Sequence, residues 1–147
     1  MRLSNMADYA VVMMTAASRH CGSAQLVGAD GKKRARISAG QLALETGLPA
    51  PTVQKLVSKL SAAGLLRSVR GSGGGLTLAR PAAAITLADI VEAVEGPIAL
   101  TPCVESGRHD CGMELACHVR PHWGVVNSAV RGALAAVPLT QLAGAAA

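Results

Sequence analysis

Residues 37–80 carry the signals that most constrain how this chain folds. Ser38 and Gln41 stand three residues apart, the spacing of a capping box, in which the two side chains satisfy backbone N–H groups at a helix start. Gly47 suits the end of that short helix, because glycine tolerates the left-handed turn that often follows one. Pro51 suits the first turn of a second helix, where its missing N–H would have had no partner. The pattern predicts two short helices joined by a tight turn.

The second of these helices has two faces of different chemistry. Helical spacing places an apolar set of residues on one side and a polar set on the other. The apolar set is Val53, Leu56, Val57 and Leu60, and the polar set is Gln54, Lys55, Ser58 and Lys59. Gly64 is suited to close the helix. Two short helices whose second member is polar and basic on its outer face predict a helix-turn-helix.

Two strand-like runs follow at residues 65–70 and 76–79, and a glycine-rich turn separates them. A hairpin directly after a helix-turn-helix is a wing, and arginines on it can lie along phosphates or enter a minor groove. The arginines around this hairpin are Arg67, Arg70 and Arg80. A nucleotide-binding loop is the competing interpretation, but Leu76 stands where the dinucleotide pattern requires glycine, and no Gly-Lys-Ser/Thr ends the run. The hairpin therefore favours DNA binding.

The composition fits one small domain with a polyanionic partner. The chain has 147 residues, of which 50% are apolar but only 1% aromatic, so Ala, Leu and Val must supply most of the packing between helices. The net charge of +5 is partly concentrated in the basic run at residues 32–36, directly before the first short helix. Such a distribution fits double-stranded DNA as the partner.

Several other classes of protein are disfavoured. No apolar run reaches the roughly 18–20 residues that a membrane span needs, and the N-terminus lacks the pattern of a signal peptide. No nucleophile with its base and no paired carboxylates stand out among the nine acidic residues, so we expect neither an enzyme nor a small-molecule substrate. We expect a cytoplasmic protein whose four cysteines are reduced.

Three further helices are predicted outside the central stretch. The first covers about residues 4–19, and the next begins at Thr86 as its cap and ends at Gly96-Pro97. The last covers residues 121–137. Its apolar stripe consists of Val126, Val130, Ala133, Leu134 and Val137. On a small monomer this stripe would be exposed, which favours packing against a partner's equivalent helix, with burial in its own domain as the alternative.

The chain accordingly divides into three parts. Residues 1–97 are predicted to form the winged helix-turn-helix domain, with the N-terminal helix contributing to a dimer. Residues 98–120 form a loop that contains cysteines, and residues 121–147 form the dimerisation helix and tail. We expect the alanine-rich tail to fray.

Cys103, Cys111 and Cys117 are separated by seven and then five residues. Thiolates are soft ligands that select zinc, copper(I) or iron–sulfur clusters. Three cysteines are one ligand short of a closed zinc site or of the four ligands that most clusters use. The spacing also lacks the close cysteine pair of zinc knuckles, which makes zinc less favoured. The residues alone leave the fourth ligand open among His109, His118, His122 and an Asp8 supplied by another subunit.

These features together resemble the IscR/NsrR type of winged-helix regulators. The resemblance rests on Met1-Arg2-Leu3, Asp8-Tyr9-Ala10, the helix-turn-helix, the wing sequence Ser-Val-Arg-Gly-Ser-Gly-Gly-Gly-Leu at 68–76 and the three cysteines. Cys-His-Val-Arg-Pro-His-Trp at 117–123, followed by a long helix, most resembles the branch that regulates the SUF iron–sulfur assembly operon. The implied fold is mainly α, a winged helix-turn-helix domain with a small β-hairpin wing and a long C-terminal dimerisation helix.

The resemblance also implies how such a protein works. It implies a homodimer whose three cysteines hold an iron–sulfur cluster, and a repressor whose operator affinity depends on the state of that cluster. It places Thr52, Gln54 and Lys55 in the major groove and gives Arg70 to the wing. The full set of candidate DNA-binding residues is Ser38, Thr52, Gln54, Lys55, Lys59, Arg67, Arg70 and Ser72.

Two departures from the family pattern concern the cluster. Relatives with a histidine as fourth ligand carry it three residues after the last cysteine, where this chain has Arg120, a poor metal ligand because it stays protonated. Relatives of the nitric-oxide-sensing type use an aspartate from the partner's first helix, and Asp8 matches that position, so Asp8 is favoured over His118. The long gap after Cys103 leaves a two-iron and a four-iron cluster both open. The alternative function is a winged-helix regulator of other stress genes that senses redox state or nitric oxide through its cysteines, or holds structural zinc.

Overall fold

The computed structural model describes residues 1–21, 36–71, 74–105 and 110–144. These residues form a helical structure with one two-stranded antiparallel sheet. In chain order the elements are α1 (Asn5–Cys21), α2 (Ala39–Thr46), α3 (Ala50–Ala62), β1 (Leu66–Val69), β2 (Gly75–Leu78), a 3-10 turn (Ala82–Ala84), α4 (Leu87–Glu95), a second 3-10 turn (Pro102–Val104), α5 (Arg120–Ala135) and α6 (Leu139–Gly144). The arrangement confirms the predicted mainly α fold with a small hairpin.

The helix α1 lies in the core and packs against α2, α4, α6 and the sheet. Ser4 caps its start, because the Ser4 Oγ accepts the Ala7 N–H at 3.1 Å. The buried face of α1 combines small residues with flexible ones and includes Ala10, Met13, Met14 and Ala17. In a chain without phenylalanine, the methionines fill the irregular gaps that alanines leave.

The predicted helix-turn-helix is present as α2 and α3. Its capping box is complete, since the Gln41 N–H donates to the Ser38 Oγ at 3.1 Å and the Ser38 N–H donates to the Gln41 Oε1 at 3.0 Å. Gly47 ends α2 with φ of 73°, a left-handed conformation that favours glycine. Pro51 lies in the first turn of α3 as predicted.

The hairpin after α3 is the predicted wing. β1 and β2 pair in antiparallel register, from Leu66 opposite Leu78 to Val69 opposite Gly75. Gly74 is required in the turn, because a Cβ there would lie 2.4 Å from the Val69 carbonyl oxygen. Ile37 also pairs with Leu76, through backbone hydrogen bonds of 3.1 and 2.8 Å, and no local sequence pattern predicts this pairing. This bridge joins the start of the helix-turn-helix to the wing.

The helix α4 begins with the second predicted cap. The Thr86 Oγ1 accepts the Asp89 N–H at 3.2 Å, and the Asp89 carboxylate accepts the Thr86 N–H at 2.9 Å. The chain then returns to this region after α5. The expectation of a frayed tail is wrong for residues 139–144, which form α6 with Leu139 fully buried in the core. The Leu139 N–H donates to the Ile85 carbonyl at 2.7 Å, so this end of the chain is bound to the segment before α4.

The helix α5 lies on the outside of the structure. None of its residues is buried in the single chain, although it contacts α4 and the second 3-10 turn. Val126 of the predicted apolar stripe is 44% exposed, whereas Val130, Leu134 and Val137 are half-buried. The packing of this stripe against a partner's helix stays a prediction. Within the described ranges, no helix has both the length and the apolar character to cross a membrane.

Candidate DNA-binding surface and cysteine segment

The outer face of α3 is polar where the sequence pattern predicts it. Its inner face is anchored in the core by Val53, Leu56 and Leu60. This anchoring fixes the orientation of the helix, so the residues between these anchors face outward. Gln54 and Lys55 are exposed and Thr52 is half-buried. Their side chains can reach a ligand outside the protein, and Gln and Lys have the donors and acceptors that read base edges.

Lys59 has a different environment from Lys55. Its side chain is half-buried, and its Nζ donates a hydrogen bond to the Val94 carbonyl at 3.0 Å. That carbonyl lies near the C-terminal end of α4, where a helix favours a positive charge. That Lys59 contacts DNA stays a prediction, and in the structure its ammonium group connects α3 to α4.

Ser38, another predicted DNA-binding residue, is exposed, and its hydroxyl oxygen is engaged as the cap of α2. On the wing, Arg67 and Arg70 are exposed, and Ser72 lies outside the described residues. Arg80 is paired with Asp89 of α4 at 3.5 Å, which holds it at the base of the wing. The exposed arginines of the wing and the polar face of α3 therefore provide the charged groups available to a phosphate backbone.

The three clustered cysteines lie in the connection between α4 and α5. Cys103 belongs to the second 3-10 turn and is half-buried, with its Sγ 3.1 Å from the Thr101 Oγ1. Cys111 is exposed and Cys117 is half-buried just before α5. His109 lies outside the described residues. All four cysteines of the chain are free thiols, and Cys21 lies elsewhere, half-buried at the end of α1, where burial raises the pKa of its thiol.

The candidate fourth ligands are placed apart from one another. Asp8 is exposed near the start of α1, and His118 is exposed directly after Cys117. Arg120, which stands at the histidine position of some relatives, instead forms an ion pair with Glu114 at 2.7 Å. Arg120 and Cys103 both line one pocket of about 460 Å³ at the start of α5.

The donor chemistry of the trio fits an iron–sulfur cluster, because thiolates are the usual ligands of such clusters and one further ligand would complete the set. The conformation of the single chain does not assemble that set among the residues described. In those ranges, no three His, Cys, Asp or Glu side chains form a group that could hold a metal ion.

A polar junction between α4 and α5 was not predicted from the sequence. It consists of Glu92, Arg131 and Asn127 together with the backbone of residues 98–100. Glu92 and Arg131 are 39 residues apart, so no local spacing signals their pairing. The junction links the segment that leads to the cysteines to both α4 and α5.

An anchored helix with a polar outer face, followed by a hairpin with exposed arginines, defines a winged helix-turn-helix DNA-binding protein. The chain belongs to the Rrf2 family, described as iron-dependent transcriptional regulators, whose family model matches residues 3–145. It is therefore a DNA-binding transcriptional regulator and not an enzyme, and the resemblance to the IscR type is confirmed at the level of the family.

This chain is similar in sequence to two known proteins and in structure to a third. Protein aau3 of Rhizobium meliloti (strain 1021) is 35% identical over 134 residues, covering 91% of this chain and 75% of that protein. The transcriptional regulator IscR of Photorhabdus laumondii is 30% identical over 142 residues, covering 97% of this chain and 79% of that protein. The structure of CymR, the global cysteine regulator of B. subtilis, aligns with a TM-score of 0.71 at 26% identity and covers 100% of this chain and 99% of CymR.

Proposed function

We propose that this protein is a homodimeric transcriptional repressor of SUF-type iron–sulfur cluster assembly genes, and that it senses an iron–sulfur cluster in the cytoplasm. The observation that carries the proposal is the placement of Cys103, Cys111 and Cys117 in one segment that links the winged helix-turn-helix to α5. The family's description as iron-dependent and the similarity to IscR support iron as the metal.

The DNA-binding part of the proposal uses the outer face of α3 and the wing. Gln54 would pair with adenine and Lys55 with guanine in the major groove, with Thr52 beside them. Arg67, Arg70 and Ser38 would contact the backbone, as would Ser72. A two-fold pair of such domains reads half-sites about 34 Å apart, so a small change at the dimer centre alters the fit of both recognition helices.

The sensing part uses the cysteine segment. Cys103, Cys111 and Cys117 would hold the cluster, with Asp8 of the partner as fourth ligand and His118 as the alternative. When bound, the cluster supplies a centre that is lost or altered by oxidation, nitric oxide or iron shortage. The Arg120 guanidinium stays protonated and pairs with Glu114 at 2.7 Å, so Arg120 is not a candidate iron ligand. The fourth ligand of the cluster would therefore come from another side chain.

Anaerobic purification tests whether a cluster is present. We expect a coloured protein with visible absorbance and with iron and sulfide in amounts that match one cluster per chain. Changing any one of Cys103, Cys111 or Cys117 to alanine should abolish the colour. Cys21→Ala is the matched control, because Cys21 is half-buried at the end of α1 beside the Leu76 carbonyl, and the change should leave the colour intact.

Other outcomes of this experiment favour the alternative function. A colourless protein with stoichiometric zinc would contradict the cluster and indicate a structural metal. A colourless protein without metal, whose operator affinity changes on reversible thiol oxidation, would indicate direct redox sensing. A single-mass species at the monomer weight in sedimentation, at micromolar concentration and with the cluster bound, would contradict the homodimer.

The fourth ligand is tested by two variants of the coloured protein. We expect Asp8→Ala to bleach the cluster faster in air than His118→Ala does. The reverse order would assign the ligand to His118.

The target genes are tested by footprinting the regions upstream of this gene and of the SUF genes. We expect protection of a palindrome, with affinities that differ between the cluster-loaded and cluster-free protein. Equal affinities in the two states would contradict sensing, while binding elsewhere but not at SUF genes would contradict the proposed target.

A further inference from the structure

Asn127 of α5 holds the backbone that leads to the first clustered cysteine. Its Oδ1 accepts the Leu100 N–H at 2.9 Å, and its Nδ2 donates to the Ile98 carbonyl at 2.9 Å. One amide side chain thus uses both its donor and its acceptor on a single stretch of backbone, residues 98–100. Thr101 follows directly, and its Oγ1 lies 3.1 Å from the Cys103 Sγ. A displacement of Cys103 therefore acts on a segment that is fixed to α5.

Glu92 of α4 joins the same segment to α5 from the other side. Its Oε1 accepts the Ile98 N–H at 3.2 Å and the Arg131 Nε–H at 2.8 Å, while its Oε2 accepts from the Arg131 Nη2 at 2.9 Å. The hydrogen bond from Arg131 is the main reason that the pKa of Glu92 is lowered. A two-pronged pair of this kind fixes direction as well as distance, which a single contact does not.

The helix α4 is in turn connected to the recognition helix. Val94, two residues after Glu92, has a carbonyl that accepts the Lys59 ammonium of α3 at 3.0 Å. Val94 itself is buried in the core, so its carbonyl moves with α4. Lys59 lies on the same helix as the exposed Gln54 and Lys55.

These contacts form one continuous series from Cys103 to α3, the helix that carries the candidate DNA-binding face. We propose that Asn127, Arg131 and Glu92 are positioning residues that pass a displacement of the cysteine segment to α4, and that Lys59 passes it on to α3. The regulatory consequence rests on the proposed function. The connection itself is a property of this chain and can be tested without a cluster.

These contacts contribute little to the free energy of folding. The Arg131 side chain is 49% exposed, and exposed ion pairs contribute little to folding free energy. None of the residues 98–100 is buried, so burial does not fix this segment either. What the polar contacts supply is a defined orientation between α5, residues 98–100 and α4.

Hydrogen exchange of the cluster-free protein, followed by mass spectrometry, tests the connection. Asn127→Ala removes both hydrogen bonds to residues 98–100, and Ser128→Ala changes the exposed neighbouring residue as control. We expect exchange in Asn127→Ala to rise both at residues 98–101 and in the last turns of α3, by two- to about thirty-fold, the span of measured couplings. Ser128→Ala should match the wild type. Faster exchange at 98–101 with α3 unchanged would overturn the proposal.

Operator affinity in the two cluster states gives a second, independent measurement. The ratio of the larger to the smaller of the two dissociation constants should fall toward one in Asn127→Ala and in Lys59→Met. Lys59→Arg should keep the ratio of the wild type, because arginine retains a hydrogen-bond donor. Arg131→Lys should lower the ratio partly, since it keeps the charge and loses the two-pronged geometry. Lys55→Ala should weaken binding in both states equally and keep the ratio.

The two measurements separate the possible failures. A wild-type ratio of one would contradict cluster sensing, and hydrogen exchange would still decide whether the contacts connect the two parts. Coupled sites typically give a ratio of about fivefold or more. If the wild type shows such a ratio and both Asn127→Ala and Lys59→Met retain it, the proposal would be overturned, while cluster sensing would stand.

Discussion

Two parts of this chain are held in place by different forces. The winged helix-turn-helix, together with α6, has a continuous core in which Met13, Leu56 and Ile85 are completely shielded from solvent. Among the described residues between Glu95 and Pro138, none is buried, and Leu115 is fully exposed. The first part therefore folds by burying its own apolar side chains, whereas the second is attached to it mainly by surface contacts.

The difference indicates where the molecule can change. A buried core has one well-packed arrangement, but exposed elements held by polar contacts open at a small cost in free energy. In this chain the exposed part carries Cys103, Cys111 and Cys117, and the buried part positions α3. The chain thus separates a rigid region from a more deformable one along its length, an arrangement that the proposed sensing function requires.

The largest expected effect comes from comparing one leucine in each part. Leu56→Ala removes a completely buried side chain from the core and should lower the free energy of unfolding by about 2–5 kcal/mol. Leu115→Ala, at a fully exposed position, should change it by less than about 0.5 kcal/mol. Urea denaturation of both variants measures the difference. Equal losses would show that Leu115 is buried in the assembly that exists in solution, and the comparison would then hold only for the single chain.

A pair of glycines gives the next contrast. Gly74→Ala puts a Cβ at 2.4 Å from the Val69 carbonyl and should destabilise the wing by about 1–3 kcal/mol, the range for overpacked sites. Gly132→Ala in α5 meets no atom within 4 Å and should stabilise the helix by up to about 1 kcal/mol. Thermal denaturation followed by circular dichroism checks both. A destabilised Gly132→Ala protein would indicate that a partner helix approaches α5 closely at that point.

Arginines of the two parts should differ in their contribution to DNA binding. Arg70→Ala should weaken operator binding and lower the slope of log affinity against log salt by about one, because one phosphate contact is lost. Arg131→Ala should leave that slope unchanged, since its guanidinium is bound to Glu92. Fluorescence anisotropy over a range of salt concentrations measures both slopes. An unchanged slope in Arg70→Ala would remove Arg70 from the predicted contacts.

The same division separates what the sequence could predict from what it could not. The caps at Ser38 and Thr86 and the turn at Gly47 follow local rules, and each is found where the sequence predicts it. Local rules act over three or four residues, and in this chain they are sufficient for the helix-turn-helix and the wing. The predicted base contacts of α3 stay predictions, because their geometry depends on DNA.

The features that were missed depend on residues far apart in the chain. The bridge from Ile37 to Leu76 and the burial of Leu139 arise from tertiary packing, and neither position has a local signal. The pairing of Glu92 with Arg131 has the same origin, since two charged residues on separate helices are compatible with many arrangements. That the three cysteines form one ligand set also stays a prediction, because the described residues of a single chain do not bring three metal-binding side chains together.

The smallest expected effect concerns the ion pair that joins the two parts. The hydrogen bond from Arg131 lowers the pKa of Glu92 in the folded protein, so its stabilising contribution is present above the unfolded value of about 4.3 and is lost as pH falls through the folded value. Glu92→Gln removes the charge and should therefore be less stable than the wild type near neutral pH, with the gap closing in acid. Urea denaturation of both proteins from neutral to acidic pH measures the difference in their free energies of unfolding. Salt at 1 M should reduce that difference at neutral pH, because the ion pair is partly exposed. A gap that stayed constant with pH would mean that the two parts are joined by the shape of the contact and not by its charge.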